Sequence, residues 1–343
     1  MLANGGTGSR IIMTNLSKKV GLLFIVMAAL CGVSSAQESI PFPEALNKAA
    51  VNLSSMTNAS ENSLMLGNGD LYGIVWEKEN NLFMRITKND IWDARVNTSG
   101  DGPMPKVDIP SGEITGTVRA GPSTKNYLYP QPRCATALRL GPVDPEVKAH
   151  LDLHKAVASI ASGSNKTQVR ILHDRNVILV MSPHPIVIEP IKAETLPDPT
   201  TGTTDGINWL MMNMPGDVDY KGMDYAVAVA SRGNLKAVAV VTSFDIGSRD
   251  VLNTAIALAK DTIAQDESKL LSTHEQGWEN YWSRSGVELQ DPDMQNWWYR
   301  ILYFAQTVCR PGAAPVGLMP PLATDNTPWH ADFHHNYNAW QAF

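Results

Sequence analysis

The sequence predicts a multidomain β + α protein: an N-terminal antiparallel β-sandwich, then a helical linker, then the opening helices of an α domain. Three observations carry this. From Leu64 to Phe244, short apolar runs rich in Val, Ile, Leu and Tyr alternate with Gly, Pro, Asn and Asp clusters. No helical crossover pattern separates those runs, which argues against a βαβ fold. After Phe244 the apolar period lengthens to that of a helix. The boundaries read from these signals are a signal peptide over 1–36, the sandwich over 37–245, the linker over 246–290 and the α domain over 291–343.

The N-terminal segment comes first. Lys18 and Lys19 precede the run VGLLFIVMAALCGV, and Ser34, Ser35 and Ala36 supply the small residues of a signal-peptidase site. Met13 begins a conventional signal peptide, so export to a secreted or periplasmic location is expected. Cys31 raises a lipoprotein signal, but Leu30 before it suits that processing poorly. The run is shorter than the roughly 20 apolar residues that span a bilayer, so a membrane-embedded protein is disfavoured.

Candidate strands of the sandwich include LYGIVWE (71–77), NLFMRI (81–86), EITGTV (113–118), CATALRL (134–140), VKAHLDL (147–153), QVRILHD (168–174) and NVILVMS (176–182). They continue with PIVIEPI (185–191), INWLMMN (207–213), YAVAVAS (225–231) and LKAVAVVTSF (235–244). Gly67-Asn68-Gly69 reads as a tight turn, since it lacks the spacing and following helix of a dinucleotide site. Leu252, Ile256, Ala259, Ile263 and Leu270 fall on one face of a linking helix, with Ser248 as its N-cap. Asp291-Pro292 announces a second helix running to about Cys309, where Arg310-Pro311-Gly312 stops it. That helix is apolar over much of its circumference, the pattern of a helix inside a larger α domain. The closing NAWQAF reads as a helix broken off in mid-course.

Composition narrows the function. The chain has 343 residues, 43% of them hydrophobic, and a formal net charge of −6 without a dense Lys/Arg block. A nucleic-acid partner is therefore not expected. Of the three cysteines, Cys134 and Cys309 are read as buried thiols rather than a disulfide. The histidines lack ligand spacing, and His334 and His335 point apart in an extended chain, so neither a metal nor another cofactor is expected. Most of the tryptophans are read as core, and only Trp329 as a candidate for stacking on a ligand.

The most informative stretch is WHADFHHNYNAWQAF, from Trp329 to Phe343. In an extended segment Asp332, His334, Asn336 and Asn338 share one face, whereas a regular helix would turn Asn336 and Asn338 apart. Such a row offers donors and acceptors for hydroxyls or a water. The alternative is a polar loop capping a helix that begins near Tyr337.

The run from His274 to Phe343, with HEQGWENYWSRSGVEL, WWYRILYF, the RPG turn and WHADFHHNYN, resembles the start of the catalytic domain of glycoside hydrolase family 95. That family comprises α-L-fucosidases and α-L-galactosidases, and its architecture is shared with the family 65 phosphorylases. LMLGNGDLYGIVWEKENNLFMRITKNDIWD more loosely resembles the start of the family's N-terminal sandwich, although Lys88-Asn89-Asp90 stands where the family usually has an Asn-Glu pair. The resemblance implies that the C-terminal helices open an (α/α)6 barrel, truncated here, and that the substrate is an oligosaccharide or polysaccharide. It implies that Asn336 and Asn338 position the attacking water for inversion and that Asp332, Phe333 and His334 belong to the sugar subsite, beside which Trp329 is the candidate for stacking on the sugar. The working base and the general acid lie further along the family's domain. No Asp or Glu up to Phe343 is assigned to either role, so the chain by itself is expected to be inactive. The alternatives are a noncatalytic carbohydrate-binding or structural sandwich, and a family 65-like phosphorylase.

Overall fold

A computed structural model describes residues 39–96, 130–144, 146–323 and 327–331, with the backbone alone for Pro328 and Trp329. The first part of the chain forms strands β1 (Val51–Leu53), β2 (Leu64–Gly67), β3 (Leu71–Lys78), β4 (Asn81–Lys88) and β5 (Trp92–Asp93). There follow β6 (Gln131–Pro132), β7 (Thr136–Pro142), β8 (Val147–Asp152), β9 (Val157–Ser162), β10 (Asn165–Ile171) and β11 (Val177–Met181). The last strands are β12 (Val187–Glu189), β13 (Thr200–Thr204), β14 (Ile207–Met214), β15 (Met223–Arg232) and β16 (Leu235–Thr242). The expected run at 113–118 lies outside the described residues. Five helices accompany the strands among the described residues: α1 (Pro43–Lys48), α2 (Ser243–Ile246), α3 (Val251–Ala264), α4 (Glu267–Trp282) and α5 (Pro292–Val308).

The strands form two main sheets. One has the order β1-β8-β9-β10-β11-β16-β15-β14-β13 and the other β12-β7-β4-β3-β2, while β5 and β6 pair separately. Every pairing is antiparallel. Period-two alternation sends Tyr225, Val227, Val229, Val238 and Val240 of the large sheet into one core with Leu64, Leu66, Val75, Met84, Ile86 and Leu138 of the small sheet. This is the expected sandwich. Each fully buried Val, Leu or Ile contributes roughly 1.5–3 kcal/mol of transfer free energy.

The other face of the large sheet is also dry. Ala226, Ala228, Ala230, Ala237 and Ala239 alternate with the inward valines and pack against Val251, Ala255, Ile256 and Ala259 of α3. Small side chains on both surfaces let the helix lie close to the sheet, so β15 and β16 read as continuous apolar runs rather than as alternating ones. The linking helix is thereby corrected in two ways. Its helix ends at Ala264, because Gln265 and Asp266 are extended and the Asp266 carboxylate accepts the Lys269 N–H at 3.1 Å, starting α4. Ser248 is not its cap: its hydroxyl accepts the Asp250 N–H at 3.2 Å, ahead of the first turn. Leu270 stays in the same core from the second helix.

Helix α5 starts as expected, with Asp291 Oδ1 accepting from the N–H groups of Asp293 and Met294 at 2.9 and 3.2 Å and Pro292 in the first turn. Its apolar surface is divided rather than enclosed. Tyr299 and Tyr303 are buried among Trp278 and Trp282 of α4, whereas Met294, Trp297, Ile301 and Phe304 are exposed. Tyr303 donates to Met65 O and Trp282 to Leu153 O, so α4 and α5 are bonded directly to the sandwich. Cys134 and Cys309 are not joined in a disulfide, the first buried and the second half-buried. Among the described residues no helix is long and apolar enough to cross a membrane.

Candidate functional site

The Gly67-Asn68-Gly69 turn is more than a reversal between β2 and β3. Gly69 has φ 88°, a Cβ on Gly67 would lie 2.1 Å from Thr307 O, and Gly69 N donates to Thr307 O at 2.9 Å. Bare backbone thus lets the end of α5 press onto the turn. Asn68, fully buried, accepts from the N–H groups of Asp70 and Leu71 and donates to Leu172 O and Arg175 O, tying the two sheets together.

The turn delivers Asp70 to a buried ammonium. Lys88, the last residue of β4, holds Nζ at 3.1 Å from Asp70 Oδ2, 2.9 Å from Asp90 Oδ2 and 2.8 Å from Asp245 Oδ1. Asp245 is placed by the capping box of α2, in which it accepts from Thr242 N while the Thr242 hydroxyl accepts from Asp245 N. Thr242 Oγ1 also donates to Asp90 Oδ2 at 2.6 Å. Burial alone would lower the Lys88 pKa, but Asp90, Asp70 and Asp245 outweigh it and hold the ammonium above its ordinary range. Burial pushes the Asp90 carboxyl up, against the pull of Lys88 and Thr242. Asn89 donates to Gly69 O and Val308 O, and so fastens this strand end to the C-terminus of α5.

These groups form one wall of a cavity of about 910 Å³ whose other sides carry Trp92, Tyr220 and Phe244. Trp92 Nε1 donates to Asn89 O at 2.9 Å and Tyr220 Oη to Trp92 O at 3.2 Å, which fixes both rings. Carboxylate acceptors beside aromatic rings suit a ligand with hydroxyls on one side and C–H groups on the other. They do not suit an acid and base pair for inversion, which needs carboxyls about 6.5–9.5 Å apart and independent of each other. Here all three are tied to the same ammonium.

The first described residues of the segment singled out by sequence approach Trp92 through Gly317. Pro328–Ala331 form a 3-10 helix, and Ala331 O accepts from Leu318 N at 3.2 Å. Gly317 makes the close approach possible: a Cβ there would lie 2.3 Å from Ala331 O and 3.1 Å from the Trp92 ring. Of the expected site residues, Trp329 has its backbone in this 3-10 helix, while Asp332, His334, Asn336 and Asn338 lie outside the described residues. The residues that sequence reasoning did not select are Asp70, Lys88, Asp90 and Asp245. One faint signal was present, the charged Lys88-Asn89-Asp90 directly after an apolar strand.

A second cavity, about 970 Å³, lies across the partition made by Asp70, Asp245, Gly312 and Ala313 and carries Arg284 and Arg310. Among the described residues no group of three or more His, Cys, Asp or Glu side chains is placed to hold a metal ion. No protein-family model matches the chain. No curated protein matches it either.

Proposed function

We propose that the chain belongs to an exported glycoside hydrolase that cleaves α-L-fucosides or α-L-galactosides of an oligosaccharide or polysaccharide with inversion, as the resemblance to family 95 implies. In this reading α4 and α5 lead into an (α/α)6 catalytic domain. Asn336 and Asn338 orient the attacking water, and Trp329, Asp332 and His334 hold the sugar. An amide is too weak a base to take the proton, so in this reading the reaction also needs a carboxylate base and a general acid besides these two asparagines.

One observation supports the proposal: Ala331, which directly precedes Asp332 in the sequence, accepts from Leu318 N, and Gly317 approaches both Ala331 O and the ring of Trp92, which lines a cavity of aromatic rings and carboxylates. The test is turnover of aryl α-L-fucoside and α-L-galactoside by the full-length gene product. Asn336→Ala and Asn338→Ala should each lower kcat by about 10²-fold or more, with the product released as the inverted anomer. Sugar binding without turnover by the full-length protein would replace this reading with the noncatalytic sandwich. Phosphate-dependent turnover would replace it with the phosphorylase.

A further inference from the structure

The second cavity has walls of a different chemistry. Arg310 comes from the turn after α5, Arg284 from the residues just past α4, and His173 from the end of the strand region at β10. Gln276 and Asn280 add two amides from one face of α4.

Each of its acids has at least one partner, although Asp70 Oδ1 is buried without one among the described residues. Asp174 pairs with Arg175 at 2.7 Å, Asp70 with Lys88 at 3.1 Å and with Asn176 Nδ2 at 2.8 Å, and Asp245 with Lys88 at 2.8 Å. Its cations are less well matched. Arg310 reaches His173 O, Asp70 Oδ2 and Asn176 Oδ1 only at 3.4 Å each, the long limit for an N–H···O bond. The Arg284 guanidinium has no hydrogen-bond or ion-pair partner among the described residues. Gln276 Nε2 donates to Asn280 Oδ1 at 3.1 Å, which orients the Asn280 amide and leaves its N–H groups for a ligand.

His173 is held in place between these groups. A Cβ on Gly277 would lie 2.3 Å from the imidazole ring, so the ring rests directly on the α4 backbone. Burial, then Arg310, then Arg284 lower its pKa against the opposing Asp174, so it is neutral at pH 7 and offers one N–H and one acceptor. The cavity therefore combines two incompletely matched guanidinium groups with a neutral imidazole and an oriented amide. That combination recognises an oxyanion, since guanidinium forks match carboxylate and phosphate geometry.

We propose that Arg284, Arg310, His173 and Asn280 form an oxyanion site that takes the carboxylate of an acidic sugar unit or free phosphate. The sugar in this statement rests on the proposed function; the oxyanion site does not.

The test is calorimetric titration of the full chain with sodium D-glucuronate, inorganic phosphate and, as neutral control, L-fucose. At least one oxyanion should bind, and about tenfold more weakly to Arg284→Gln, the loss expected for one charge-assisted contact. Binding should also weaken at about 1 M salt, where the screening length falls to about 3 Å. Any fucose heat should be the same in both proteins. Arg284 is exposed, so this variant keeps the fold, which circular dichroism verifies. Arg310→Lys, which keeps charge but loses the fork, should also weaken the oxyanion. Preference for glucuronate identifies a saccharide-borne oxyanion, and preference for phosphate a free one; both support the site. Binding of neither, or affinities unchanged in Arg284→Gln, overturns it. Failure of the full-length enzyme to turn over fucosides would leave these titrations unaffected.

Discussion

Asp245 Oδ1 lies 2.8 Å from Lys88 Nζ, and this contact fastens the capping box of α2 to the end of β4. Asp70 and Asp90 complete the shell around the same ammonium, whose side chain is 3% exposed. Lys88→Met keeps the stem volume but leaves three carboxylates facing each other without their cation. Removing one partner from a buried ionic cluster costs about 3–5 kcal/mol. The urea midpoint should fall accordingly. Asp245→Asn should cost less, since Asp245 is the most exposed of the three acids. An unchanged midpoint for Lys88→Met would show that the cluster contributes nothing to stability.

The alanine surface between the large sheet and α3 makes a second expectation. Ala239 and Ala259 are both fully buried in the core between the sheet and the helix. Ala239→Leu should therefore push α3 away and destabilise by about 1–3 kcal/mol. Ala239→Ser, nearly isosteric, should cost less. Thermal unfolding of the two variants separates overpacking from the chemistry of the replacement. Equal losses would contradict the packing argument.

Much of the sandwich was legible because its strands carry the signal locally. Leu71–Lys78, Ile207–Met214, Met223–Arg232 and Leu235–Thr242 stand within two residues of the runs read from sequence. Val157–Ser162 did not stand out, since four of the six residues of VASIAS are Ala or Ser, and Thr200–Thr204 has only Thr and Gly. The break between α3 and α4 escaped because Leu270 continues the apolar period across it, while the Asp266 cap looks like any polar helix residue. The charged centre escaped for a different reason. Asp70, Lys88 and Asp245 are brought together by the sheet and by the capping box, and only Lys88 and Asp90 are neighbours in sequence. Arg310 likewise read as part of a helix stop, and its place beside His173 depends on the docking of α5. Trp297, read as core by its helical spacing, is 64% exposed.

That exposure belongs to a stripe. Met294, Trp297, Ile301 and Phe304 recur every three or four residues along α5, opposite the buried Tyr299 and Tyr303. A continuous apolar stripe of this kind binds hydrophobic dyes and promotes self-association. Trp297→Ser with Phe304→Ser should lower dye fluorescence and shift concentration-dependent gel filtration toward the smaller species. Helix content should be unchanged, because neither side chain supports the core. Equal dye binding in the double variant would show that this stripe is not an accessible surface.

A last expectation concerns acid. His274 on α4 is 1% exposed, and its Nε2 donates to Lys155 O at 2.8 Å, which sets the neutral tautomer. Burial brings its pKa down from 6.5 to about 4, with Arg170 and His173 adding to the effect and the Lys155 bond opposing it. Below pH 6.5 the unfolded chain takes up a proton at this position, and the folded chain does so only near pH 4. The unfolded state thus binds more protons between those values, so stability falls as the pH drops through that window. The full loss is on the order of 3 kcal/mol. His274→Gln keeps an N–H for Lys155 O but does not titrate. It should be less stable than the wild type at pH 7.5, and its stability should change less between pH 7.5 and 4.5. The carboxylates titrate in both proteins and cancel in that difference. Equal slopes would mean that His274 is protonated in the folded state at its ordinary pKa.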